Sequence, residues 1–156
     1  MIFATTGTQL PFPRLISALN ALAPDLTEPI IAQVGPDPAP YPNLECRNDL
    51  DAAAFEQVFR EARVIVAHAG IGTILSAKRH GKPLIVLPRR FDMGEHRNDH
   101  QIATAAHIQD QRGLHVARSD EDLKRFLEAR DLAAAEPDPG PNLARLTSDI
   151  ADWIAQ

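Results

Sequence analysis

The chain has 156 residues, 44% hydrophobic and 24% charged, which fits one soluble globular domain; with only 5% aromatics its core must be aliphatic. A formal net charge of −5 argues against a nucleic-acid binder, and no basic amphipathic stretch offers attachment to an anionic membrane. Cys46 is the only cysteine, which excludes an internal disulfide and a thiolate zinc site and makes a reducing cytoplasm the expected compartment.

The start, Met1 to Gly7, lacks the basic flank and apolar run of a signal peptide. No segment reaches the ~20 apolar residues needed to span a bilayer. Work at a membrane would then need another component to hold the chain there.

In chain order, Ile2 to Thr5 is predicted as a strand closed by Gly7, and Leu15 to Leu22 as an amphipathic helix. Ile30 to Val34 reads as a second strand, ending at Gly35. The proline-rich stretch Pro36 to Pro42 is a loop, and Leu44 to Arg47 a weak third strand. Ala52 to Ala62 is helical, with Phe55, Val58 and Phe59 on one face. Val64 to Ala67 is an uninterrupted apolar run, as in a strand covered on both faces. A helix from Thr73 to Arg79, stopped by Gly81 and Pro83, leads to another buried strand, Leu84 to Leu87. Asn98 to Gln111 reads as a helix, Leu114 to Ala117 as the last strand, and Asp120 to Arg130 as a helix with Ser119 as N-cap. Residues 136–141 form a linker, and Leu143 to Ile154 a closing helix.

Alternating strands and helices, with fully apolar strands in the middle, predict a Rossmann-like α/β domain: a parallel sheet with helices on both faces. Ligands of such folds bind beyond the carboxyl ends of the strands. The segment His68-Ala69-Gly70-Ile71-Gly72-Thr73 stands at one of those ends and runs into a helix. Its glycines are expected to let the backbone turn and to bare the helix N-terminus, whose unpartnered N–H groups and dipole favour phosphate. Thr73 adds a hydroxyl donor, and His68 can donate to a phosphate oxygen or support the loop. The plainer alternative is a helix start that needs glycine for packing, with a histidine bonded to a carbonyl. The segment lacks the third glycine of the dinucleotide fingerprint and the Lys-Ser/Thr ending of a P-loop.

A second polar constellation, Pro88 to Gln101, follows the next strand. Arg89 and Arg90 could neutralise a diphosphate, while Glu95, Asp99, His100 and Gln101 offer hydrogen bonds to sugar hydroxyls. The alternative is a solvated loop with Asn98 or Asp99 capping a helix. His96 and His100 have i, i+4 spacing, but the helix starts between them and no His-Glu-x-x-His pattern is present, so no metal is expected.

These residues resemble a known family. The run His68 to Thr73, Gly81-Lys82-Pro83-Leu84-Ile85-Val86-Leu87-Pro88-Arg89, Gly94-Glu95-His96 and Asp99-His100-Gln101 are similar to the family-28 glycosyltransferase C-terminal domain. Thr6-Gly7-Thr8-Gln9-Leu10-Pro11-Phe12 resembles the start of its stand-alone subgroup. That subgroup includes PssE-like subunits of bacterial exopolysaccharide synthesis and the soluble subunit of the eukaryotic dolichol-linked N-acetylglucosaminyltransferase. The resemblance spans about Met1 to Arg130. It implies the C-terminal, donor-binding half of a GT-B fold, with a UDP-sugar as donor substrate and no cofactor. The partner it implies is a membrane-associated acceptor subunit of the PssD type, which would recruit this chain to the inner face of the plasma membrane. By matching motifs, His68, Gly70, Gly72 and Thr73 would hold the diphosphate, with Gly7, Thr8 and Gln9 on a loop facing the cleft. His100 and Gln101 would touch the donor sugar. Ser76 stands where relatives carry a glutamate that bonds the ribose.

The resulting expectation is inverting transfer of a sugar from a UDP-sugar to a lipid-linked saccharide. His68 and Arg89 would steady the leaving diphosphate, and Glu95 and His96 are the candidate bases. The alternative, supported by Ser76, is a non-catalytic nucleotide-sugar-binding or regulatory subunit. A sugar-nucleotide epimerase would need both halves of the fold on one chain. The Leu143–Ile154 helix carries an apolar stripe suited either to a partner or to its own sheet, and without a partner the chain could self-associate.

Overall fold

In the computed structural model, which describes residues 1–137, six strands form one all-parallel sheet in the order β3-β2-β1-β4-β5-β6. The strands are β1 (Ile2–Thr5), β2 (Ile30–Gln33), β3 (Glu45–Arg47), β4 (Val64–Ala67), β5 (Leu84–Val86) and β6 (Leu114–Val116). The helices are α1 (Pro13–Leu22), α2 (Ala52–Glu61), α3 (Ile71–His80), α4 (His100–Ile108) and α5 (Asp120–Glu128), with a 3-10 turn over Ala23–Asp25. The predicted closing helix, and the linker from residue 138 onward, lie outside the described residues.

Alternation along the central strands explains why both faces of the sheet are dry. Ile2, Ala4, Val64 and Val66 point to one side, where they pack with Leu15, Ile16 and Leu19 of α1 and Leu123 and Leu127 of α5. Phe3, Ile65, Ala67 and Val86 point to the other, against Phe59 of α2, Ile74 and Ala77 of α3, and Ala105 and Ile108 of α4. Three of the few aromatics cluster on that second face, where Phe3, Phe55 and Phe59 meet at centroid distances of 5.5 to 6.2 Å. Edge strand β3 is exposed along its whole length, which is why its sequence reads weakly.

Local chemistry sets the helix ends. Pro13 opens α1, where a missing N–H costs nothing. Asp51 caps α2 by accepting from Ala54 N at 2.8 Å, and Ser119 caps α5 through Asp122 N at 3.2 Å. Gly81 ends α3 in the left-handed conformation. Helix α3 starts two residues earlier than expected, at Ile71, because the first turn accommodates Gly72. Among the described residues, no helix is long and apolar enough to cross a membrane.

Candidate functional site

The strand order places a topological switch point between β1 and β4: from β1 the chain winds outward through β2 and β3, then returns and winds the other way. Loops leaving the two adjacent strand ends diverge there and open a crevice. A cleft of about 220 Å³ occupies that position, lined by Thr6 to Leu10 after β1 and by His68, Arg89, His96 and Gln101.

Gln101, at the start of α4, ties the site together. Its side-chain Oε1 accepts from Ala69 N at 3.2 Å and from Arg89 N at 3.1 Å, so one amide oxygen clasps the loops after β4 and β5. Its Nε2 lies 3.1 Å from Nδ1 of His68. Only 3% of Gln101 is exposed, and where it lines the cleft its amide is already engaged by the protein's own groups. The expected contact with a donor sugar could fall only to what remains of that amide.

Burial, followed by the nearby Arg89 guanidinium, lowers the pKa of His68 to about 4, so the ring is neutral at physiological pH. Its Nε2 looks toward Gly7, where a side chain would come within 3.1 Å of it. Gly7 also has φ +77, so that position excludes other residues both by conformation and by the nearness of His68.

Arg89 has a different position from the one expected of a diphosphate ligand. Its side chain is 2% exposed and donates to the carbonyls of Thr6, Leu10 and Pro11 at 2.7 to 3.0 Å, with a longer bond to Glu95 O at 3.3 Å. The guanidinium also stacks on Phe12 at 4.5 Å. It holds the β1 loop in shape, and its charge reaches the cleft from the floor. Without it those carbonyls would lose their donors in a largely dry place.

The remaining polar residues divide sharply. Both oxygens of Glu95 are engaged, at 2.6 and 2.8 Å from Arg14 and 2.9 Å from Arg90 N, which leaves no free carboxylate there to act as a base. Arg90 is exposed and paired with Asp92. Asp99 accepts from Phe91 N at 3.0 Å, and His100 is exposed and contacts Asn98. His96 lines the cleft, stacks edge-on against His100 at 4.6 Å, and has a buried Nδ1 with no partner among the described residues. No group of three or more His, Cys, Asp or Glu among the described residues could hold a metal ion.

The glycine turn works otherwise than its sequence suggests. Gly70 has φ −84, open to any residue, and none of the chain's positive-φ glycines is Gly70 or Gly72. What Gly70 provides is room, since a Cβ there would stand 2.3 Å from the His68 ring. Gly72 has nothing within 4 Å of such a Cβ and leaves the helix start open. Gly70 gives no side-chain cap, and the N–H groups of Ile71, Gly72 and Thr73 carry no partner among the described residues. Of the sequence-predicted residues, Gly7, Thr8, Gln9, His68, Arg89, His96 and Gln101 meet in the cleft; Gly70, Gly72, Thr73, Ser76, Glu95, Asp99 and His100 do not line it.

Sequence reading missed the supports. Thr5 donates to Gln33 at 2.8 Å, Gln33 donates to Asp49 at 3.0 Å, and Gly7 N bonds the Thr5 hydroxyl at 3.2 Å. Polar residues at the ends of otherwise apolar strands were the available signal. Arg14, which fixes Glu95, sits on a helix face that carries no motif.

The profile of the glycosyltransferase family 28 C-terminal domain matches residues 1–130. No curated protein matches the chain. Solved structures of the same fold include Acinetobacter baumannii MurG, with a TM-score of 0.63 and 20% identity over 95% of this chain and 48% of that one. The Streptomyces sp. SF2575 glycosyltransferase SsfS6, complexed with thymidine diphosphate, has a TM-score of 0.60 at 20% identity over 97% of this chain and 37% of its own. The solution structure of ALG13 has a TM-score of 0.60 and 20% identity, covering 93% of both chains. The chain thus spans between a third and a half of the length of the first two.

Proposed function

The chain belongs to the glycosyltransferase family 28 C-terminal domain family, with the fold of GT-B C-terminal domains, and on that premise we propose that it is a donor-binding half-enzyme. In this reading it holds a UDP-sugar for inverting transfer to a lipid-linked saccharide. A membrane-associated acceptor subunit supplies the other wall of the active site.

The observation that carries the reading is the cleft at the switch point. Next to it, His68 brings a neutral ring and α3 an uncapped N-terminus with three unpartnered N–H groups, Ile71 to Thr73. Sugar departure builds negative charge on the diphosphate. An N–H donor and a helix dipole set in advance stabilise that charge without reorganising. The general base is a separate matter. Glu95 is held by Arg14, and no carboxylate lines the cleft among the described residues, which leaves His96 or a group on the acceptor subunit.

A second reading, a non-catalytic nucleotide-sugar-binding subunit, draws on that shortage of free carboxylates and on Ser76 in place of the family's glutamate. Two measurements together test them, one for binding and one for catalysis. In a thermal-shift panel of UDP-sugars, the true donor should raise stability by about 2.7 kcal/mol at a hundred times its Kd. In the reconstituted pair, His68→Ala should cut transfer by roughly 100- to 1000-fold. Transfer that survives this change points to the regulatory reading, and a panel with no stabilising nucleotide overturns both.

A further inference from the structure

Gln101 does more than join two loops. Its Oε1 accepts two backbone N–H groups, from Ala69 and Arg89, which fixes the direction of the amide: the flipped amide would set its NH2 against both. The group facing His68 Nδ1 at 3.1 Å is therefore the NH2, a donor. Nδ1 must then be the ring's lone-pair nitrogen, and the single proton of the neutral imidazole sits on Nε2, the atom that looks toward Gly7 across the cleft.

We propose that Gln101 is a positioning residue that locks His68 in the Nε2–H tautomer, making His68 a fixed, uncharged hydrogen-bond donor to an anionic group in the switch-point cleft. The identity of that anion, a nucleoside diphosphate, rests on the function proposed above; the tautomer lock does not. The lock gives His68 one role and removes others. With Nδ1 occupied by an amide N–H and Nε2 protonated, the ring has no free basic nitrogen, so it cannot deprotonate an acceptor hydroxyl. It also stays a donor across the neutral range, since burial and Arg89 hold its pKa near 4. The charged and titratable groups around the ring are Arg89 after β5, His96 ahead of α4 and His100 at its first residue. The β1 loop, Thr6 to Leu10, brings no charged or titratable side chain to the cleft. Arg89, His96 and His100 all oppose a second proton on the ring.

Replacing the amide by a carboxylate reverses the lock while keeping the shape. In Gln101→Glu one oxygen can still accept from Ala69 and Arg89. The other faces Nδ1 and demands a proton on it. The neutral ring then turns a bare lone pair toward the anion, and the carboxylate raises the His68 pKa.

The test uses the full chain labelled with 15N. Two-bond 1H–15N correlations at pH 7 should show His68 protonated on Nε2 and bare on Nδ1; a ring protonated on Nδ1, or a mixture, would overturn the lock. Gln101→Glu should move the proton to Nδ1. At pH 8 it should also weaken uridine diphosphate binding by roughly tenfold relative to wild type, about one lost hydrogen bond to a charged group. That ratio should recover as the pH falls through the raised His68 pKa, because the imidazolium regains Nε2–H. A merely structural role would give the same ratio at every pH and would overturn the proposal. If the variant fails to fold, the wild-type spectrum alone decides. An Nε2–H tautomer without uridine diphosphate binding sinks the donor-site reading and keeps the lock. Binding to an Nδ1–H ring does the reverse.

Discussion

The two ends of the sheet are built from the same strands and solve opposite problems. At the amino-terminal end of the strands, polar groups are met from within. Glu28 takes Arg63 at 2.7 Å and also Arg130, and Arg63 satisfies the Leu127 and Ala129 carbonyls closing α5 at 2.9 Å each. Lys82 does the same for Ala62 at the end of α2, at 2.8 Å. Gly113 lets residues 134 and 135 lie directly on the backbone. At the carboxyl end, the α3 N–H groups and His96 Nδ1 have no partner among the described residues, and Leu10, Phe91 and Met93 stand exposed. Unpartnered helix N–H groups beside bare apolar side chains are what a binding face requires, and the closed end is what lets the fold carry them.

If that division holds, changes at the closed end should cost stability and spare binding. The largest effect is expected at Gly113, which has φ +78 and where a Cβ would come within 2.2 Å of Ala135 N. Gly113→Ala should destabilise by about 2–4 kcal/mol in chemical denaturation, from strain and overpacking together. Its uridine diphosphate affinity, measured where the chain is folded, should stay within twofold of wild type.

The open end should show itself in the pH dependence of stability. His68 has a folded pKa of about 4, below the ~6.5 of an unfolded histidine, so the unfolded chain binds the extra proton first as pH falls. The stabilisation is whole above pH ~6.5 and is lost as pH drops toward 4, up to about 3 kcal/mol. His68→Asn should remove this part of the slope, read as the difference between the two denaturation curves from pH 7 to pH 4. Parallel curves would mean that His68 is not held neutral by burial.

The sheet itself was far easier to read in the sequence than the open end. Apolar period and capping residues place all six strands within a residue of their bounds, because burial on both faces leaves Val64 to Ala67 and Leu84 to Val86 little else to be. At the site, residue types located the loops but not the directions of side chains. Arg89 and Arg90 are adjacent and chemically alike, yet one is buried on four carbonyls and the other pairs with Asp92 in solvent. Which of them turns inward depends on Phe12 and the carbonyls of the β1 loop, more than 75 positions away. Glu95 is removed from the list of bases by Arg14, equally distant in sequence. Gly70 was legible as necessary, but the reason, clearance for the His68 ring, exists only in three dimensions.

The central claim is that one end of this sheet, the crevice between β1 and β4, receives a nucleoside diphosphate. Titrating uridine diphosphate into the 15N-labelled chain tests it most directly. Amide shifts should concentrate at Thr6 to Leu10, at His68 to Thr73 and in the Gln101 side chain, with Arg63, Lys82 and Gly113 unmoved. Shifts spread over both ends, or confined to residues remote from that crevice, would contradict it.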